Sequence, residues 1–232
     1  MSALRELEPE GEDQAYRLRR WRDLEALGRP LVVLIGGATG VGKSTVATEV
    51  ARTLGIARVS STDFIRQILR SVVAEALAPE LSRSSFELDQ GSGDGDLLHA
   101  EFERQAQEVL IGVRATIERA VAEGTSILLE GIHLLPWLLH PDDYDALVVQ
   151  MMLTVDDEDE HVNRFACRAR TSRRPAERYD DGLEAIRALQ RHLVAGARRA
   201  GVPVIANRDE QTTVRRALDV VTAAVDDALR PR

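Results

Sequence analysis

Leu31-Val32-Val33-Leu34-Ile35 runs straight into Gly36-Gly37-Ala38-Thr39-Gly40-Val41-Gly42-Lys43-Ser44-Thr45, and this junction decides the fold. Five consecutive apolar residues are what a parallel strand buried on both faces requires. Gly37 to Ser44 fits the pattern Gly-x-x-x-x-Gly-Lys-[Ser/Thr], whose glycines let backbone N–H groups turn inward around phosphate oxygens. A helix is predicted over 43–54, and its N-terminal end adds partial positive charge at the same spot. Lys43 is placed to reach two phosphates of a bound nucleotide, and Ser44 to hold a magnesium ion between them.

The composition of the chain agrees with this reading. The 232 residues suit one domain with room for a lid. Hydrophobic residues make up 44% and charged residues 29%, which argues against disorder throughout. A net charge of −8 argues against a protein that grips duplex nucleic acid by broad phosphate neutralisation, but not against a local basic pocket for a small anion. The apolar runs are too short to span a bilayer. The charged N-terminus lacks the apolar core of a secretory signal, and the lone Cys167 can form no internal disulfide. The expected location is the cytoplasm. Of 30 basic residues, Lys43 is the only lysine. A chain that uses the wide, planar Arg fork everywhere else keeps the compact ammonium for one position inside the phosphate loop.

Further strands are predicted at 57–60, 126–129, 146–153 and 203–206. They alternate with helices at 63–76, 97–123, 157–174, 180–200 and 211–229. Such alternation gives a parallel sheet with helices on both faces, and ligands bind beyond the carboxyl ends of its strands. The fold class is α/β, with the kinase-type domain at 30–232 and a helical lid at about 157–180. Residues 1–29, with Leu18, Trp21, Leu24 and Leu27 at helical spacing, are expected as an N-terminal helical extension. Residues 78–96, with Pro79, four serines and three glycines, read as a loop.

Carboxylates and arginines gather at the expected ligand side. Asp63 lies just past the second strand, where a carboxylate can accept the proton of an attacking hydroxyl or hold magnesium through water. The competing reading is helix capping, which Ser61, Thr62 and Asp63 can all perform. Three such residues in a row leave one for chemistry. Arg66 and Arg70 follow on the same helical face, where they meet either substrate anions or surface carboxylates. Glu130 ends the strand before it, a position suited to a second magnesium contact. His133 follows as a candidate substrate contact. Arg164, Arg168, Arg170, Arg173, Arg174 and Arg178 lie on two faces of one segment, as a lid that encloses a transferring phosphoryl group requires. No Asn-Lys-x-Asp motif reads guanine, since Asn207-Arg208-Asp209 does not match it. Asn207 itself follows the last strand, either at the adenine or as a cap of the final helix.

With these residues in view, positions 30–210 resemble the 2-phosphoglycerate kinase family of P-loop kinases. Ser61-Thr62-Asp63-Phe64-Ile65-Arg66 is similar to the family's Thr-Asp-x-Ile-Arg. Ser84-Ser85-Phe86 is similar to its Ser-Ser-aromatic substrate loop. Glu130-Gly131-Ile132-His133 resembles Glu-Gly-Val-His, and Arg174-Pro175-Ala176-Glu177-Arg178-Tyr179 resembles its lid. Pro203-Val204-Ile205-Ala206-Asn207 resembles its final strand. The Gly-rich stretch 91–95 departs from the pattern. So do residues 1–29, which are too few for the N-terminal domain that such kinases often carry.

The resemblance implies ATP and Mg²⁺ as cofactors and a small anionic acceptor like 2-phosphoglycerate. No membrane partner is expected from the short apolar runs, and the acidic balance disfavours a nucleic-acid partner, although a single-strand end could enter a basic cleft. The expected catalytic residues are Lys43, Asp63, Arg168 and Arg174. ATP is expected on Gly37, Ala38, Thr39, Gly40, Val41, Gly42, Lys43, Ser44 and Thr45. The acceptor is expected on Asp63, Arg66, Ser84, Ser85, His133 and Arg178, and magnesium on Ser44 and Glu130. Two alternatives stay open: a kinase of a neutral hydroxyl, such as an antibiotic or sugar nucleotide, and a non-catalytic nucleotide-binding regulator or ATPase.

Overall fold

The computed structural model describes Asp23 and residues 28–75, 77–83, 85, 95–171 and 182–230, with only the backbone described at 95–96 and 165–171. The expected helix over 1–29 therefore lies almost wholly outside the described residues.

Strand β1, Leu31–Gly37, is buried at all seven positions, as its apolar run requires. It leads through the phosphate loop into α1, Lys43–Leu54. Next come β2, Arg58–Ser61, and α2, Thr62–Val72, then a 3₁₀ turn at Pro79–Ser82 and the long α3, Gly95–Ala122. Strand β3 is Ile127–Gly131 and β4 is Leu147–Thr154. Helices α4, Glu158–Thr171, and α5, Leu183–Arg199, precede β5, Val204–Ala206, and α6, Glu210–Ala228. All strand pairs are parallel, in the order β2-β3-β1-β4-β5. None of the described helices is long and apolar enough to cross a membrane.

Side-chain alternation along β1 splits the core in two. Leu31, Val33 and Ile35 face the cluster built from α1, α5 and α6, which includes Val46, Val50, Leu189, Leu193, Leu218 and Val221. Val32 and Leu34 face the cluster of α2 and α3, with Ile65, Val109, Leu110, Val113 and Ile117. A strand that feeds both cores has no polar face, which explains its unbroken hydrophobicity.

Register decides what meets at the ligand edge. Ile35 pairs with Glu130 and Gly36 with Gly131, while Ser61 pairs with Glu130 from the other side. Gly37 pairs with Leu153. The ends of four strands therefore bring together the phosphate loop, Glu130 and the start of α2.

Helix α2 stops four residues short of the predicted end at Ala76. Ile65 is buried and Leu69 packs on the same cluster, but Val72 is 74% exposed, so a further turn has no face to bury and little to sustain it. Val73 turns extended instead.

The α2–α3 contact depends on Gly112. A Cβ there would lie 2.5 Å from Ile65 Cγ2. Gly to Ala in a helix interior ordinarily stabilises by about 1 kcal/mol. Here Gly112→Ala should instead destabilise by about 1–3 kcal/mol, because it forces α2 away from α3. Chemical denaturation checks this, and a gain in stability would contradict the packing.

Candidate active site

The phosphate loop is shaped from behind. His161 Nε2, on α4, donates to the Thr39 carbonyl at 2.8 Å. The Val41 carbonyl accepts from Asn207 Nδ2 at 2.8 Å and from Arg164 Nη1 at 3.2 Å. Arg164 also donates to the Asn207 carbonyl at 2.6 Å and pairs with Glu160. Thr213 Oγ1 holds the other end of the Asn207 amide at 2.9 Å. Every described peptide is trans, and C=O and N–H point opposite ways in a trans peptide plane. With the Thr39 and Val41 carbonyls drawn back, the N–H groups of Gly40 and Gly42 point away from this support, towards the cradle. Gly42 sits at φ 86, and a Cβ there would meet Asn207 Nδ2 at 2.5 Å. Only glycine fits both demands.

His161 is buried, and desolvation pushes its pKa below the ordinary value. The bond to the Thr39 carbonyl opposes the shift, while Arg187, Arg164 and Lys43 reinforce it. A neutral ring with its proton on Nε2 satisfies the carbonyl without adding charge behind the loop.

In front, α1 carries no acidic residue in its first turn, so its positive end is not neutralised. Lys43 Nζ donates to the Ala38 carbonyl at 2.7 Å and so folds over the loop. Ser44 Oγ donates to Glu130 Oε1 at 2.8 Å. Glu130 is only 8% exposed, yet sits at the open end of β3.

The three capping-capable residues at the start of α2 divide the work. Ser61 Oγ accepts from the Phe64 N–H at 3.1 Å and caps the helix. Thr62 is buried, its hydroxyl 2.8 Å from His133 Nδ1. Asp63 remains, 59% exposed on the ligand side and 3.9 Å from Arg66 Nε. Arg66 Nη1 donates to the carbonyls of Leu81 and Arg83, at 2.9 and 2.7 Å. It thus pins the loop after α2 to the helix that carries Asp63.

Three expectations change. His133, expected against substrate, is 0% exposed, and both ring nitrogens have side-chain partners inside the protein. Its burial holds its pKa down to about 3, with Asp63 opposing and Arg66 and Lys43 assisting, so the ring is neutral. Ser85 is also buried, its hydroxyl donating to Gln105 Oε1 at 2.8 Å. Asn207 does not cap α6, because Asp209 does so by accepting from the Thr212 N–H. The side chain of Arg168 and all of Ser84, Arg174 and Arg178 lie outside the described residues. His161 and Gln105 were missed. Gln105 had a readable signal: it interrupts the apolar face formed by Leu98, Phe102, Val109 and Val113 of α3.

A parallel sheet whose first strand feeds a phosphate loop, with a serine–carboxylate pair in front and an exposed Asp at the neighbouring strand, defines a P-loop kinase of small molecules. Solved structures agree on the fold. A shikimate kinase from Acinetobacter baumannii aligns over 90% of this chain and 99% of its own, with a TM-score of 0.50 and 16% identity. A gluconokinase from Sinorhizobium meliloti aligns over 86% and 95%, also at 0.50 and 16%. No family model matches the chain. The 2-phosphoglycerate kinase of Methanothermobacter thermautotrophicus is 40% identical over 216 residues, covering 90% of this chain and 71% of the relative. That of Methanocaldococcus jannaschii is 41% identical, covering 91% and 69%. The chain belongs to the 2-phosphoglycerate kinase family, and is an ATP-dependent phosphotransferase.

Asn207→Ala and Arg164→Ala should each weaken ATP binding about tenfold, the equivalent of one buried or charged hydrogen bond. Titration calorimetry measures it. Unchanged affinity would show that the loop keeps its shape without these supports.

Proposed function

We propose that the protein transfers the γ-phosphoryl group of ATP, with Mg²⁺, to the free hydroxyl of 2-phosphoglycerate. The observation that carries this reading is the facing pair of sites at one sheet edge: the phosphate loop with Ser44 and Glu130, and Asp63 beside Arg66 on α2. The acceptor's identity is supported by relatives that bear that name over two thirds of their length.

The loop amides from Gly37 to Thr45 and the Lys43 ammonium take up charge on the β- and γ-phosphates. The Ser44 hydroxyl and the Glu130 carboxylate are hard oxygen donors 2.8 Å apart. They fit Mg²⁺, which binds through one or two protein oxygens and completes its shell with phosphate and water. When bound, the ion neutralises developing phosphate charge. Asp63 accepts the proton as the acceptor hydroxyl oxygen bonds to the γ-phosphorus. The bond from that phosphorus to the bridging oxygen breaks, and ADP leaves. Arg66 and Ser84 frame the anionic acceptor, and Ser85 and His133 hold its loop from beneath. Arg168, Arg174 and Arg178 supply lid guanidinium groups to the transferred phosphoryl. A cytoplasmic location suits an ATP-consuming enzyme with one cysteine.

The test is a panel of acceptors scored by ADP release. 2-Phosphoglycerate should be turned over well above 3-phosphoglycerate, glycerate and neutral sugars. Asp63→Asn should lower kcat by roughly a hundredfold. Turnover of neutral alcohols alone, or an undiminished Asp63→Asn rate, would overturn the reading.

A further inference from the structure

Four side chains beneath the acceptor side form one connected chain of hydrogen bonds, and its hub, Gln105, has no assigned role. Gln105 is 0% exposed in the middle of α3. Its Nε2 donates to the carbonyls of Glu80 and Arg83, at 2.5 and 2.9 Å. These two acceptors fix the orientation of the amide, so Oε1 faces the other way. There it accepts from the Ser85 hydroxyl at 2.8 Å and lies 3.0 Å from His133 Nε2. An amide oxygen cannot donate, so His133 carries its proton on Nε2. Nδ1 is then an acceptor, and the Thr62 hydroxyl 2.8 Å away donates to it. The order of donation runs from Thr62 to His133 to Gln105, and from Gln105 to the loop carbonyls.

The two ends of this chain are at the site. Thr62 immediately precedes Asp63. It also packs so closely over Gly131, next to Glu130, that a Cβ on Gly131 would lie 1.8 Å from Thr62 Oγ1. The other end holds Glu80, Arg83 and Ser85, in the segment that Arg66 grips through the carbonyls of Leu81 and Arg83. A buried amide among apolar neighbours costs stability unless each donor and acceptor is used. Here each is used, and all the partners lie on elements that meet at the acceptor.

We propose that Gln105 and His133 are positioning residues that lock Glu80, Arg83 and Ser85, on the acceptor side, to the Thr62–Asp63 turn, so that acceptor and proton-accepting carboxylate share one fixed geometry. This rests on the acceptor reading given above. Both side chains are 0% exposed, so they act through the residues they hold. A fixed geometry matters because small misplacements of reacting groups cost rate steeply.

The test uses Gln105→Leu, Thr62→Val and their double variant, with Thr62→Ser as the rescue. ATP affinity is measured by calorimetry, and kcat and KM with 2-phosphoglycerate. Each single variant should lower kcat/KM for the acceptor by about ten- to a hundredfold, with ATP Kd within about twofold of wild type, since the nucleotide end is untouched. The double variant should be no worse than about the poorer single one, because both cut one chain. Thr62→Ser should restore most of the rate. Additive losses, a parallel loss of ATP affinity, or a fall in stability with kinetics unchanged would overturn the proposal. Should the wild type fail to use 2-phosphoglycerate, the acceptor reading fails on its own. Amide hydrogen exchange then decides: Thr62→Val should speed exchange at residues 80–83 and 85, and unchanged exchange there overturns the link. If Gln105→Leu does not fold, Thr62→Val and Ser85→Ala carry the same comparison.

Discussion

The site depends on two peptide carbonyls being pulled backwards. The Thr39 and Val41 oxygens are held by His161, Arg164 and Asn207, and this turns the loop's N–H groups forward as a phosphate cradle. A glycine-rich loop on its own samples many shapes, and fixing each residue costs about 1–2 kcal/mol. The supports meet that cost before any ligand arrives. They come from α4 and from the turn after β5, so the far edge of the sheet contributes to the shape of the loop. Burial keeps His161 neutral, which avoids placing a full charge behind a loop already bounded by Arg164 and Lys43.

The register of the sheet supplies the other half. Glu130 pairs with Ile35 on one side and Ser61 on the other. One carboxylate therefore reaches Ser44 beside the phosphate loop, while the neighbouring strand leads straight into the turn that carries Asp63. The distance between the two halves is set by strand spacing and not by flexible loops. The same elements that bury Ile65 and Leu129 thus set the chemistry.

Much of this was legible in the sequence, and the exceptions have physical causes. The strand–loop–helix junction is read directly, because burial on both faces forces continuous apolar character and the loop demands glycine. The start of α2 was legible: three capping residues stand where one suffices, and Ser61 caps, which leaves Asp63 exposed. Glu130 was legible from its place at a strand end. Depth was not. For His133 the sequence left both a substrate contact and a structural role open, because nothing local tells a buried histidine from an exposed one; its partners Gln105 and Thr62 lie 28 and 71 residues away. Arg164 read as a lid residue, but its guanidinium reaches back 123 residues to Val41. Short-range pattern places elements, and long-range hydrogen bonds then decide which polar residues face the ligand.

The only lysine of the chain stands at the one point where a phosphate loop calls for a compact cation. The chain uses arginine for every other basic residue, so Lys43→Arg is the most direct challenge, measured as single-turnover transfer from γ-labelled ATP. The transfer rate should fall at least about a hundredfold, because the planar fork cannot follow the phosphates as a point charge can. Transfer at the wild-type rate would contradict it.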